Sequence, residues 1–302
     1  MFTGNDPDAV RRMYTTEEAL RIRQMTHDQY SETRVSIADW ALSNIQWRGD
    51  EQILDVGCGP GRWSTAVQNK LPDVKYYGFD LYPKMMQTHP LPEHIAVADA
   101  QRIPFADGAF DLLMANHMLF HVPDVERAMR EFRRVLKPGG VIMATTNSVQ
   151  NLPEIQALMR RAITLLVPPG TTNIRVPPQH TDLFTLESGT RLLSRYFFAV
   201  VRYDLPGKLV FTSADPLLAY IESTRSIREA ELPAGVMWDD MMMIVREQIG
   251  RLIEHFGELT INKLSGLLVA TDRGDFIHDY LDHMANNREK TKPTRPKKKR
   301  KH

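Results

Sequence analysis

The segment Ile53-Leu54-Asp55-Val56-Gly57-Cys58-Gly59-Pro60-Gly61-Arg62 carries the strongest chemical pattern in the chain. An apolar run containing an acid passes into a loop with three glycines, then into a helix that starts near Arg62. Glycine lets a loop adopt positive φ and lets its backbone approach a ligand with no Cβ in the way. Spacing separates this loop from two common phosphate sites. A dinucleotide fingerprint needs G-x-G-x-x-G, whose third glycine packs a helix beneath a pyrophosphate; Arg62 stands in that place. A P-loop needs Gly-Lys-Ser/Thr after four further residues, and that run is absent. The loop therefore suits a nucleoside ligand without a pyrophosphate. Asp80, 21 residues beyond Gly59, ends the next apolar run and is placed to accept hydrogen bonds from two ribose hydroxyls. Asp99, ending a third run, is a candidate for an adenine edge.

These residues need strands to end on. Short apolar runs at Ile53–Val56, Lys75–Phe79, Ile95–Ala98, Asp111–Ala115 and Val141–Thr145 predict strands. Between the last two, Val125, Ala128, Met129, Phe132, Val135 and Leu136 share a helical face, with Asp124 as N-cap and Lys137-Pro138-Gly139-Gly140 as the stop. Alternating strands and helices imply right-handed crossovers and a mostly parallel sheet covered on both faces, an α/β fold. Upstream, Thr15 and Glu18 fit a capping box, and Val35, Ala38, Leu42 and Ile45 recur at helical spacing. Downstream, helices are predicted over residues 153–167 and 215–256, with strands near Ala199–Asp204, Lys208–Phe211 and Leu264–Thr271.

Taken together the motifs resemble the class I S-adenosylmethionine-dependent methyltransferases, most closely the small-molecule branch of the ubiquinone/menaquinone-biosynthesis type. Four segments carry the resemblance in order: Ile53–Arg62, Gly78–Asp80, Val97–Phe105 and Phe110–Gly140, the last with Asn116-His117, His121-Val122-Pro123-Asp124 and Leu136-Lys137-Pro138-Gly139-Gly140. It covers about residues 30–147. The family's fold implies a Rossmann-like, mostly parallel seven-stranded sheet with helices on both faces, an N-terminal helical lid over residues 1–30, and a methyltransferase domain over 31–285. A helical insertion is expected at about 213–257, before the last strand. By the same resemblance S-adenosyl-L-methionine is the cofactor, held by Asp55, Gly57, Cys58 and Gly59 around the methionine portion and ribose. Asp80 takes the ribose hydroxyls, Leu81, Asp99 and Ala100 the adenine, and Asn116 lines the methyl-donor pocket. Tyr30 and Arg34 are candidates for its carboxylate, with an ordinary helix surface as the competing reading.

The methyl of a sulfonium is already activated, so the enzyme has chiefly to align three atoms and exclude water. A base is needed only where the acceptor must lose a proton; His117 and His121 are the nearest candidates, and for His121, the catalytic candidate, fixing a loop by hydrogen bonding is the leading competing reading. Methyltransferases of nucleic-acid amino groups carry Asn/Asp-Pro-Pro-aromatic after the fourth strand, where this chain has Asn116-His117-Met118-Leu119. The paired-glutamate loop of protein-arginine members is missing, and Cys58 is the sole cysteine, too few for an arsenite member, a disulfide framework or a multi-cysteine zinc site. The expected partner is thus a small-molecule methyl acceptor, reacting at oxygen, carbon or nitrogen. Met237, Trp238 and Met241 to Met243 are candidates for an apolar acceptor wall, or simply for a packed helix.

A net charge of +1 conceals an asymmetry. Residues 288–302 hold nine basic side chains and one acid, leaving 29 basic and 36 acidic residues in the other 287, a net of −7. The tail, from about Asn286, is expected to be disordered; its Pro296–Lys301 run suits nuclear import or anionic RNA, DNA or lipid headgroups, with a solvated tail that has no specific partner as the leading reading. The alternative function is accordingly a nucleic-acid-associated methyltransferase or binding protein. With no signal-peptide pattern and no membrane-spanning run, a cytoplasmic protein is expected, or a nuclear one in a eukaryotic host.

Overall fold

The computed structural model describes residues 5, 6, 8, 10, 11, 14 and 18–273. The Thr15 cap and the basic tail lie outside the described residues. Seven strands form one sheet: β1 (Gln52–Val56), β2 (Lys75–Asp80), β3 (Ile95–Val97), β4 (Phe110–Asn116), β5 (Leu136–Asn147), β6 (Ala199–Phe211) and β7 (Leu259–Thr271). Their order is β3-β2-β1-β4-β5-β7-β6. The first five pair in parallel, while β7 runs antiparallel to β5 and β6. The sheet is thus the mostly parallel Rossmann-like one, with a switch point between β1 and β4. In such sheets the crevice beyond the strands' carboxyl ends at that point receives ligands.

Alternation along each strand sorts the core into two faces. Leu54, Val56, Leu113, Ala115, Ile142 and Ala144 pack with helix α4 (Val125–Val135) and helix α6 (Leu186–Leu193). Ile53, Leu112, Met114 and Met143 face helix α2 (Ile37–Ser43) and helix α3 (Arg62–Lys70). In α4, Ala128, Met129, Phe132 and Val135 are buried, and the Asp124 side chain accepts from Arg127 N–H at 2.8 Å, as the pattern predicts. The Lys-Pro-Gly-Gly turn differs from expectation. It does not precede a strand but begins one, since β5 starts at Leu136 and its register against β4 shifts between Phe110 and Leu112.

A third cluster lies beyond the sheet's edge, where β6 and β7 run past β5 as a two-stranded arm. Leu209, Phe211 and Ile261 of this arm pack against helix α5 (Pro153–Leu166), helix α7 (Asp215–Glu222) and helix α9 (Trp238–Phe256). β6 is continuous where two strands were predicted. Conversely, the predicted helix over 215–256 is broken into α7, the short α8 (Arg225–Arg228) and α9, the last break falling where Pro233 and Gly235 interrupt the helical ladder. Helix α1 (Glu18–Tyr30) lies across the top of this assembly. Ser31 bridges to Leu209, Glu32 N–H donates to Lys208 O at 3.0 Å, and Asp28 pairs with Arg62 at 2.9 Å. No described helix is long and apolar enough to cross a membrane.

Candidate functional site

A cavity of about 490 Å³ opens at the carboxyl ends of the parallel strands and is roofed by α1, within the roughly 300–1,000 Å³ usual for small-ligand sites. Its floor is the glycine loop after β1. Gly57 and Cys58 N–H groups donate to Phe79 O at 2.8 and 3.0 Å, tying the loop to β2. A Cβ on Gly78 would stand 3.1 Å from Cys58 Sγ, so a glycine in β2 makes room for the loop's cysteine, whose thiol burial pushes up in pKa. Gly61 (φ +85°) is locked: a Cβ there would lie 2.3 Å from Pro90 Cδ. Gly59 (φ +51°) is the opposite case, since no atom of the described residues lies within 4 Å of its notional Cβ. Gly61 is glycine for packing, and Gly59 leaves space open at the cavity wall.

Asp80 turns both oxygens to the loop and its own turn: Oδ2 accepts from Gly59 N–H at 3.1 Å and Oδ1 from Tyr82 N–H at 2.9 Å. Burial raises its pKa, and the Tyr82, Gly59 and Leu81 backbone donors oppose that rise. Asp99 accepts from the N–H and side-chain amide of Gln101 at 2.8 and 3.1 Å, which fixes the turn beside Ala100. Asn116, at the end of β4, accepts from Thr145 Oγ at 3.0 Å, while its buried Nδ2 has no hydrogen-bond partner among the described residues. Gly57, Cys58, Gly59, Asp80, Leu81, Asp99, Ala100, Asn116 and His121 all line the cavity.

Two sequence expectations are not met by the geometry. Asp55 does not line the cavity: it is 1% exposed and accepts from Tyr76 Oη at 2.7 Å beneath the loop. Burial drives its pKa up to about 7, against the Tyr76 hydrogen bond and with the help of Asp80. The reason is parity, since Asp55 sits inside the strand with its side chain turned from the ligand edge. Tyr30 is likewise outside the cavity wall, stacked on Phe211 at 4.9 Å, whereas Arg34 does line it. The methionines of α9 are also elsewhere. Met241 is buried in the third cluster, Met237 and Met243 are exposed, and none lines the cavity.

Other wall residues carry no sequence motif. Tyr14 Oη is hydrogen-bonded to His121 Nε2 at 2.8 Å and meets the imidazole edge-on, joining the N-terminal segment to the turn after β4. Burial holds His121 neutral, its pKa near 3, with Arg23 adding to the effect. Burial likewise keeps His117 neutral, lowered to about 4, with Arg62 contributing. His117 holds φ +52°, rare for a non-glycine residue, and its N–H donates to Thr145 O at 2.9 Å. His27, Arg23, Tyr220 and Lys263 complete the wall. A lysine among the apolar residues of the last strand was a legible signal, but the predicted strand began one residue later, at Leu264. Nothing local marks Tyr14 or His27.

Residues 54–144 match the family model described as a methyltransferase domain. The malonyl-[acyl-carrier protein] O-methyltransferase of Pseudescherichia vulneris is 29% identical over 131 residues, 43% of this chain and 52% of that protein. The demethylmenaquinone methyltransferase of Chlorobaculum parvum is 34% identical over 111 residues, 35% of this chain and 45% of that protein. The chain spans about half the length of the curated relatives it matches. Among solved structures, Haemonchus contortus phosphoethanolamine N-methyltransferase 2 in complex with S-adenosyl-L-methionine superposes with a TM-score of 0.51 at 15% identity, over 88% of this chain and 60% of that one. The [4+2]-cyclase SpnF gives 0.50 at 18%, over 88% and 96%. These two show the shared fold. The ordered motifs thus stand on a β3-β2-β1-β4-β5-β7-β6 sheet, and residues 54–144 match a methyltransferase domain.

Proposed function

We propose that the protein transfers a methyl group from S-adenosylmethionine to an oxygen, carbon or nitrogen of a small-molecule acceptor held in the same cavity. One observation carries this reading: a single chamber joins the strand-end residues of β1 to β4 to a second wall built by α1, α7 and β7. The first wall fits the cofactor. Open space at Gly59, a carboxylate at Asp80 and the unpartnered Asn116 Nδ2 form a cradle with one unsatisfied donor, which a bound ligand would satisfy. When bound, the sulfonium supplies a methyl group that leaves directly to a nucleophile in line with the C–S bond.

The protein's own residues have three tasks in this reading. Asp80 holds the ribose hydroxyls and Asn116 reaches the methionine portion, which fixes the direction of the C–S bond. Helix α1, clamped by the Asp28–Arg62 pair, and Tyr14 before it, hydrogen-bonded to His121, cover the chamber and exclude water. His117, neutral on the wall, is available to take a proton from an acceptor that must lose one. His121, the sequence candidate for that task, already engages Tyr14 through Nε2, so its proposed role is to hold the lid.

The test is methyl transfer from isotope-labelled S-adenosylmethionine into metabolite extract and, separately, into RNA. Label in a low-molecular-weight product supports the reading. Tight cofactor binding with no labelled small molecule would refute it.

A further inference from the structure

The second wall of the chamber has a charge pattern of its own. Lys263 stands on the part of β7 that runs beyond β5 and pairs only with β6. Its cross-strand neighbour is Gly207, where a Cβ would lie 2.7 Å from Lys263 Cε and 3.3 Å from Cγ. The lysine stem therefore lies across the glycine, held in the arm. Its Nζ donates to Ser31 Oγ at 2.7 Å, and it forms no ion pair among the described residues. The acid nearby, Asp28, is engaged by Arg62 at 2.9 Å. Burial lowers the Lys263 pKa, with Asp28 only partly offsetting it. Arg23, on the same wall, is buried and makes one hydrogen bond, from Nη1 to Ser223 O at 3.0 Å. Between them His27 meets Tyr220 edge-on at 5.8 Å and is neutral, its pKa pushed down to about 3 by burial and by Lys263.

A half-buried cation without a counterion is costly to keep unless a ligand supplies the opposite charge. The cofactor's own carboxylate is the competing candidate, and the two differ in whether Lys263 affects S-adenosylhomocysteine affinity. Glycine loop, Asp80 and Asp99 follow β1, β2 and β3, and three strand spacings, roughly 14 Å, separate β1 from β7. We propose that the arm between α1, α7 and β7 is the acceptor subsite, and that it selects an acceptor bearing an anionic group, carboxylate or phosphate, bound by Lys263. The assignment rests on the methyl-transfer reading above. Gly207 acts as a positioning residue, since a side chain there would displace the lysine stem.

Calorimetric titration of the full-length protein with saturating S-adenosylhomocysteine tests this, using succinate, inorganic phosphate and neutral succinamide as probes. One of the two anions should bind in the millimolar range, which identifies the group, and succinamide should bind about tenfold more weakly or less. Lys263→Met should weaken that anion by about tenfold or more, Lys263→Arg should retain it within about threefold, and Gly207→Ala should weaken it. All three should keep S-adenosylhomocysteine affinity within about twofold. Equal binding of succinamide, an unchanged Lys263→Met, or no binding of either anion to the wild type would overturn the subsite while leaving cofactor binding intact. Anion binding in a protein that does not bind S-adenosylhomocysteine would instead overturn the methyl-transfer reading, and the acceptor assignment with it.

Discussion

Replacing Asp80 with alanine isolates the cofactor site from the fold. A carboxylate offers about four lone-pair positions, and here two are taken, by Gly59 N–H at 3.1 Å and Tyr82 N–H at 2.9 Å. The remaining two suit a ribose diol. Each hydrogen bond to a charged group contributes about 1.5–3 kcal/mol. Water entering the space left by the side chain replaces part of both, so the expected loss is about 3–4 kcal/mol, two to three orders of magnitude in affinity. Stability should change little. Two N–H groups lose an acceptor at about 1 kcal/mol each, and relief of the buried carboxylate, whose pKa burial raises, acts in the other direction. A net effect within about 1 kcal/mol corresponds to a Tm shift of about 4 °C or less. Calorimetry with S-adenosylhomocysteine, paired with thermal unfolding, measures both. Affinity within about threefold of wild type in a variant with unchanged Tm would refute the ribose assignment.

Gly59→Ala and Gly61→Ala should separate binding from folding. The first meets open space and carries only the strain of φ +51°, about 1–2 kcal/mol, so it should lose cofactor affinity by about tenfold with a modest fall in Tm. The second forces a Cβ to within 2.3 Å of Pro90 and should cost about 3 kcal/mol or more in thermal unfolding. Asp55 makes a pH prediction. Its folded pKa, about 7, lies above the ordinary value of 3.8, so it stays protonated when folded while the unfolded chain ionises. It therefore lowers stability as pH rises from about 4 to 7, by about 4 kcal/mol in all. The depressed histidines His27, His117 and His121 slope the other way, stabilising as pH rises towards 6.5. The Asp55 contribution is thus the difference between wild type and Asp55→Asn, and denaturant titrations should show the variant's advantage growing between pH 4 and 7; a constant difference would count against it. Deleting residues 288–302 should leave S-adenosylhomocysteine affinity unchanged by calorimetry, and a large loss would place the tail in the site.

What was readable in advance followed from how local each constraint is. A glycine loop after a strand, an acid at the end of the next strand and a third acid beyond it are set by short segments, and all but Asp55 reach the cavity wall because the carboxyl ends of parallel strands lie along one edge. Asp55 lies off the cavity wall because it precedes the strand's last residue, and only the fold shows that Tyr76 of the adjacent strand takes its oxygen. Tyr30 failed for a similar reason, since its helix turns that position onto Phe211 of β6. The long helix predicted over 215–256 ignored Pro233 and Gly235, whose local cost outweighs the apolar periodicity on either side.

By itself the amino-acid order determined the parallel half of the sheet and the edge that carries the glycine loop, Asp80 and Asp99, because those depend on periodicity and on a few glycines with restricted alternatives. The chamber's second wall was decided only in three dimensions. Tyr14 and His121 lie 107 residues apart, and Ser31 and Lys263 232 apart. Neither pair has a local signal, because contacts between elements remote in sequence depend on how α1 is clamped over β6 and β7. That is why the glycine-loop side of the cavity is legible in the sequence, and the wall proposed for the acceptor emerges from the packing of segments remote in sequence.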